Sequence, residues 1–385
     1  MARSLQTPSF TRCPGGPRLS RAGVAAALLM AAAWSAQAQD AWVVGQSAPL
    51  TGSNGAFGRD IRDGAAAWFK QVNARGGAGG RNIELVTLDD GNDRKAAGAN
   101  TQKLLDRGAV ALFGYASATL SLDAMPLADK AGVLFFAPFS GANPVRTGPP
   151  VVFTLRASYA DELEKMLAFW TGAGAKQVAV VHYEDEVGKQ NLGVVADYLK
   201  KQGKTPAAFA LQRNAKVSAE DVAKLLALKP DVIINTVLSG PAADISKLLA
   251  ARGALVPTSS LSFVGAQQYI QAAGEAAAGV SISQVVPNPN GRQPVVAECA
   301  GALREFGVTA PMNSTHLEAC IGAKVLTEAM RRAKKPGDAR SLLAAMQGLG
   351  RYDAGGFVVT YGPNQNHGSK YVELGMVSRD GKLRN

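Results

Sequence analysis

The residues that could do chemistry in this chain sit in short loops that follow β-branched runs. Gly52, Gly55 and Gly58 lie between the run 42–48 and an amphipathic stretch. Their spacing, GxxGxxG, lacks the GxGxxG pattern and the acidic partner that a dinucleotide loop needs. The glycines read better as a device that carries backbone N–H groups and Phe57 to a crevice at the carboxyl end of a strand. Ser117, Ala118 and Thr119 follow the run 109–114 and open a helical stretch, where hydroxyls and free N–H groups suit a carboxylate or cap the helix. Phe139, Ser140 and Gly141 follow the next run and have the same character. The segment DDGND (89–93) has its glycine too early for a calcium loop and no closing Glu, so it reads as a solvated turn that caps the next helix. His182, His316 and His367 are far apart with no metal-ligating spacing, although His182 and His316 could make a polar contact in a cleft. A nucleophile elbow, a Walker loop and a Cys–His signature are all missing from the sequence. No metal, cofactor or catalytic group is expected.

These loops are positioned by one repeating grammar of short apolar run, Gly/Ser/Asn/Asp loop, amphipathic helix and Gly stop. Strands are expected at 83–88, 109–114 and 133–138, with helices at 94–107 and 120–131 between them. The helix after Gly58 places Ile61, Ala65, Trp68, Phe69 and Val72 on one side. A second round places helix 160–171, strand 177–183, helix 188–202, helix 218–228, strand 231–237, helix 241–252 and strand 261–265. Alternation of this kind implies right-handed crossovers and parallel sheets covered on both faces. Two like rounds imply two Rossmann-like α/β lobes. Helices near 294–307, 313–334 and 338–347 then return to the first lobe, before a hairpin-like pair of runs ending at Leu383.

The first forty residues have the form of an address label. Arg3, Arg12, Arg18 and Arg21 precede the apolar run 24–34, and Ala36-Gln37-Ala38 supplies the small residues of a cleavage site. Cutting after Ala38 leaves 347 of 385 residues and lowers the net charge from +11 to +7, with basic residues scattered and no nucleic-acid footprint. Cys299 and Cys320 remain, and in a domain with an adequate core two buried thiols are favoured over a crosslink.

The run VGQSAPLTGSNGAFGRDIRDGAAAWFKQVNARGG, with LDDGND, FGY…MPLADKAGVLFFAPFSGA and GEAAAGV, resembles the leucine/isoleucine/valine-type periplasmic binding proteins. The likeness runs in order through nearly all of the chain after the leader. It implies a type I periplasmic binding fold with three hinge crossings, a ligand cleft between the lobes, and delivery to an ABC permease driven by a cytoplasmic ATPase. Lobe I is expected at 40–156 plus 286–358 and lobe II at 157–285 plus 359–385, in a periplasmic monomer. Phe57 is the counterpart of the family's covering aromatic. The family's carboxylate-reading serine falls on Ala118, between Ser117 and Thr119, and its ammonium-reading threonine falls on Gly141. Tyr183, Val187, Leu238 and the segment 262–268 with Gly265 form the expected opposite wall. Val187 and Leu238 replace aromatics there, and 262–268 holds no acid. The cystine of some relatives is absent, since Asn92 and Ser117 occupy its places. These departures favour a carboxylate ligand without an amine, such as an aromatic or aliphatic acid, beside the amino-acid reading. A periplasmic sensor of the same fold and an enzyme are the competing classes.

Overall fold

The computed structural model describes residues 41–384 other than Ser53 and Asn214; the expected leader lies outside the described residues. Up to the first change of sheet the chain runs β1 (Trp42–Ala48), α1 (Gly55–Asn73), β2 (Ile83–Asp89), α2 (Arg94–Asp106), β3 (Ala111–Phe113), α3 (Ala118–Ala131), β4 (Leu134–Phe136), α4 (Asn143–Arg146) and β5 (Val152–Phe153). The strands form one parallel sheet in the order β2-β1-β3-β4-β5. Its central strands are buried at every position but Val43, as expected where crossover helices cover both faces. The stripe read from the sequence, from Ile61 to Val72 on α1, is buried.

The second round comprises α5 (Tyr159–Gly172), β6 (Val178–Tyr183), α6 (Glu186–Lys200), β7 (Ala207–Leu211), α7 (Ala219–Ala227), β8 (Val232–Thr236), α8 (Ser239–Ala251), β9 (Thr258–Ser260), α9 (Ala266–Ala273) and β10 (Ser281–Gln284). There follow α10 (Pro294–Phe306), α11 (Ser314–Arg332), α12 (Ala339–Gln347), β11 (Gly350–Asp353), β12 (Val358–Tyr361), β13 (Glu373–Val377) and β14 (Leu383–Arg384). The second sheet has the order β14-β13-β10-β9-β8-β6-β7, parallel except for the antiparallel β13 and β14 at one edge. The chain leaves the first sheet after β5, returns after β10 to pack against the first-sheet core through its late helices and the separate β11-β12 ribbon, and rejoins the second sheet at β13.

One apolar cluster joins Trp42, Phe69 and Phe113 of the first round to Leu317, Ile321 and Met330 of α11, so the late helices do return to the first sheet. A second cluster packs Leu112 and Phe135 with Val178, Val180 and Ile234, and so includes strands of both sheets.

Two sequence expectations are overturned. The strand expected at 261–265 lies earlier, at Thr258–Ser260, and Ser262–Val264 is a 3-10 turn ending at Gly265 with φ +64°. Hydropathy misses β9 because its buried surface is hydroxyl-rich: Ser259 Oγ accepts from Trp170 Nε1 at 2.6 Å. Cys299 and Cys320 form a disulfide between α10 and α11, with Cα atoms 6.0 Å apart, rather than remaining buried thiols. Both cysteines are wholly buried, and packing these helices side by side against α1 sets the two side chains within reach.

Candidate ligand-binding cleft

Where the parallel strands of both sheets end, their carboxyl-terminal loops enclose a cleft of about 170 Å³, some ten times the space one water needs. From the first sheet come Phe57 on the first turn of α1, Ser117 to Thr119 at the start of α3, and Phe139 after β4. From the second come Tyr183 and Val187 around the end of β6, and Leu238 after β8.

Each first-sheet feature has a local cause. Gly58 is glycine because a Cβ there would stand 1.8 Å from the Pro49 carbonyl oxygen, so the loop folds back onto its own helix and leaves Phe57 facing the cleft. Phe57 meets Phe139 edge to face, with ring centres 5.9 Å apart. Ser117 is extended, and its hydroxyl accepts from Leu120 N at 3.2 Å, which starts α3 two residues before the expected 120. That cap leaves the Ala118 and Thr119 N–H groups without an intrahelical acceptor, at the positive end of a helix.

Three sequence-named residues lie off the cleft. Ser140 is buried, and its hydroxyl contacts Tyr159 Oη at 3.4 Å and accepts from Ala142 N at 3.2 Å. A Cβ on Gly141 would meet Tyr159 N at 2.7 Å, so this position stays small to admit Tyr159. Gly265 borders a separate void of about 10 Å³ behind Phe57. His182 and His316 do not line the cleft. His182 Nδ1 is 2.8 Å from Tyr183 O, and His316 lies 3.3 Å from the Asp60 carboxylate, its pKa lowered by burial against the pull of Asp60. In DDGND, Asp93 caps α2 through Ala96 N and Asp89 accepts from Thr51 and Leu50, which fits a turn. Among the described residues no three His, Cys, Asp or Glu gather where they would hold a metal.

The sequence reading missed Tyr159, Asn191 and Arg213, and it placed Asp185 and Gln268 only within the stretches Tyr183–Val187 and 262–268; all five line the cleft. Arg213 comes from the loop after β7 and stacks over Tyr183, its guanidinium carbon 4.3 Å from the ring centre. It also pairs with Asp185 through Nε at 2.9 Å, and Asp185 accepts from Gly188 N at 2.9 Å as the cap of α6. Burial raises the Asp185 pKa, but the Gly188 N–H and Arg213 outweigh it and hold the carboxyl below its ordinary value. Tyr159 packs on Phe263, with ring centres 5.2 Å apart. Tyr159 opens a capped helix, which carries no sign of a ligand role, and Arg213 follows β7 in a carboxyl-end loop, the one available signal for it, while only strand order brings it to Tyr183.

Beneath the cleft, side chains tie the sheets together near the crossings. Arg156 is 2 % exposed and forms two bonds to Glu318 of α11, at 2.8 and 2.6 Å, while its third nitrogen lies 3.4 Å from Ser262 Oγ. Burial would lower the guanidinium pKa, and the Glu318 carboxylate reverses this. Glu162 is pushed up by burial and accepts from Ser262 N at 2.8 Å and from the Ser283 hydroxyl. At the rim, Gln268 of α9 donates to Asp60 of α1 at 2.6 Å.

This geometry agrees with the comparisons to known proteins. Residues 41–382 match the family model described as periplasmic binding protein. The chain is 30% identical over 196 residues to an amino acid binding protein of Pseudomonas aeruginosa, covering 50% of this chain and 52% of that protein, about half its length. It is 27% identical over 274 residues to Leu/Ile/Val-binding protein homolog 2 of Brucella abortus, covering 69% and 72% of the two chains. A solved substrate-binding periplasmic protein from Ralstonia solanacearum superposes with a TM-score of 0.83 at 30% identity, covering 89% of this chain and 99% of that one. The chain belongs to the periplasmic binding protein family, with the type I architecture of two α/β lobes. Within that family it is of the leucine/isoleucine/valine type, and the family's place of work is the periplasm.

Truncating Phe57 to Ala removes the ring that covers one wall of the cleft. Its partner Phe139 remains in the core, so Phe57→Ala is expected to leave folding intact and weaken ligand binding about tenfold, read by titration calorimetry. Unchanged affinity would show that Phe57 does not touch the ligand.

Proposed function

We propose that this chain is the solute-binding component of an ABC importer, exported through its leader and cut after Ala38. In this reading it captures a small carboxylate-bearing metabolite reversibly, by closing its lobes, and delivers it to permease subunits driven by a cytoplasmic ATPase. Lobe I comprises 40–156 plus 286–358 and lobe II 157–285 plus 359–385. The pairing of β12 with β11 supports moving the last boundary past Tyr361. The protein acts as a monomer and makes no covalent change to its ligand.

The observation that carries this reading is the charge balance of the cleft wall. The Ala118 and Thr119 N–H groups are open to an anion, while Asp185, the one acid in the wall among the described residues, is occupied by Arg213 and by the start of α6. A buried ammonium there would lack a charged partner, which is costly. A carboxylic acid without an amine therefore suits the site better than an α-amino acid, although the relatives' names keep amino acids as the second reading.

The test is a melting-temperature screen of the mature protein with L-leucine, 4-methylpentanoate, benzoate and 3-methylbutylamine. A ligand of the folded state raises the melting temperature, so the two acids should raise it most and the amine not at all. Stabilisation by the amine alone would reverse the assignment. Closure is checked by small-angle scattering with the stabilising acid at saturation. Contacts from both lobes exist together only in the closed form, so the radius of gyration should fall. An identical radius with and without the acid would remove the closure mechanism.

A further inference from the structure

On the second-sheet wall of the cleft, one side chain is built for a bond it does not make. Asn191 lies one helical turn after Val187 on α6, so both face the same way, and both line the cleft. Asn191 is only 4 % exposed, yet its Nδ2 has no hydrogen-bond partner. Buried amides are ordinarily bonded, and leaving one open disfavours the fold unless something else completes it. Val187, one turn before it, offers nothing polar from its side chain. A second open atom belongs to another residue of the cleft lining. Gln268 donates through Nε2 to Asp60 at 2.6 Å, which fixes its amide and leaves Oε1 buried, unpartnered and able only to accept.

We infer that Asn191 is a specificity-determining residue: it reads an uncharged hydrogen-bonding group at the end of the ligand remote from the carboxylate, with Gln268 Oε1 accepting from the same class of group. This rests on the carboxylate reading of the α3 end of the cleft and narrows it. The ligand is then a small acid whose tail carries a hydroxyl or amide rather than a purely aliphatic chain. An apolar tail would leave the Asn191 amide buried without a partner. A second carboxylate would face Gln268 Oε1, which cannot donate to it. An ammonium would meet neutral amides in place of a counter-charge. The hydroxyl or amide satisfies both open atoms because it donates and accepts.

The experiment is titration calorimetry on the mature protein with matched acids: benzoate against 3- and 4-hydroxybenzoate, and hexanoate against 6-hydroxyhexanoate. In the wild type, at least one hydroxylated acid is expected to bind about tenfold or more tightly than its parent. In Asn191→Leu, which keeps the branched shape and removes the amide, that preference should disappear while the parent acid binds at least as well as before. Asn191→Ser, a smaller polar replacement, should retain part of it. Equal binding of hydroxylated and parent acids by the wild type overturns the inference while leaving the carboxylate reading standing, since the open amide would then be met by water. A preference that survives unchanged in Asn191→Leu overturns the role of Asn191. If no acid binds, L-leucine included, the carboxylate reading falls and this inference falls with it.

Discussion

Arg156→Ala is expected to lower the free energy of unfolding by about 3–5 kcal/mol, because it leaves Glu318 charged, buried and without its partner. The two side chains are 2 % and 5 % exposed, so water cannot replace the lost guanidinium. Coulomb attraction in the pair does not by itself set the magnitude. Burying both charges was already costly, and breaking the pair retains that cost for one of them. Removing both charges at once, as Arg156→Met with Glu318→Leu, should therefore recover most of the loss. Urea denaturation of the three proteins measures this directly. An Arg156→Ala protein within about 1 kcal/mol of wild type would show that the pair is hydrated and does not bear on the hinge. The same substitution also reaches the cleft. The Arg156 guanidinium stands 5.4 Å from the centre of the Phe139 ring, and Phe139 supports Phe57. Ligand affinity should drop alongside stability, and the double variant should not restore it.

Loss of the Cys299–Cys320 crosslink is the second large effect. The cysteines are 21 residues apart, and a closed loop of that length restricts the unfolded chain by about 3 kcal/mol. Cys299→Ala with Cys320→Ala is expected to be less stable than the oxidised protein by that amount in urea denaturation without reductant. In dithiothreitol the wild type should move towards the variant, since the reductant removes the same restraint. A variant as stable as the oxidised wild type would mean that helix packing alone holds α10 to α11. The periplasm is oxidising, so the crosslinked form is the one expected in place.

The alternation of strands and helices was legible in the sequence, because parallel sheets bury both faces and force apolar runs to alternate with amphipathic helices. The α1 stripe from Ile61 to Val72 followed from periodicity, and capping offered Ser117 or Thr119 for α3, whose start at Ala118 lies two residues before the expected 120; both signals depend on neighbours a few residues away. The polar strand β9 was not legible in the same way. Its Ser259 is buried through bonds to Trp170 and Ser281, partners remote in sequence, and hydropathy carries no trace of them.

The same division runs through the cleft. Loops directly after β1, β3 and β4 could be named from the sequence, since a parallel strand delivers its carboxyl-end loop to the ligand edge whatever the rest of the chain does. Phe57, Ser117 and Phe139 line the cleft on that account. Arg213 reaches Tyr183 only because β7 pairs with β6, and Gln268 reaches Asp60 only because the second sheet's loops meet the first sheet's across the cleft. Asn191 is unremarkable as a letter on a helix; burial without a partner is what singles it out. The cysteine pair shows the same limit, since the sequence supplies two thiols and only the packing of α10 beside α11 sets them within bonding distance. Local order, capping and loop position are fixed by interactions between near neighbours, and these the sequence determined. Strand order, helix-to-helix contact and the completion of each buried polar group depend on long-range packing, and these only the tertiary structure decided.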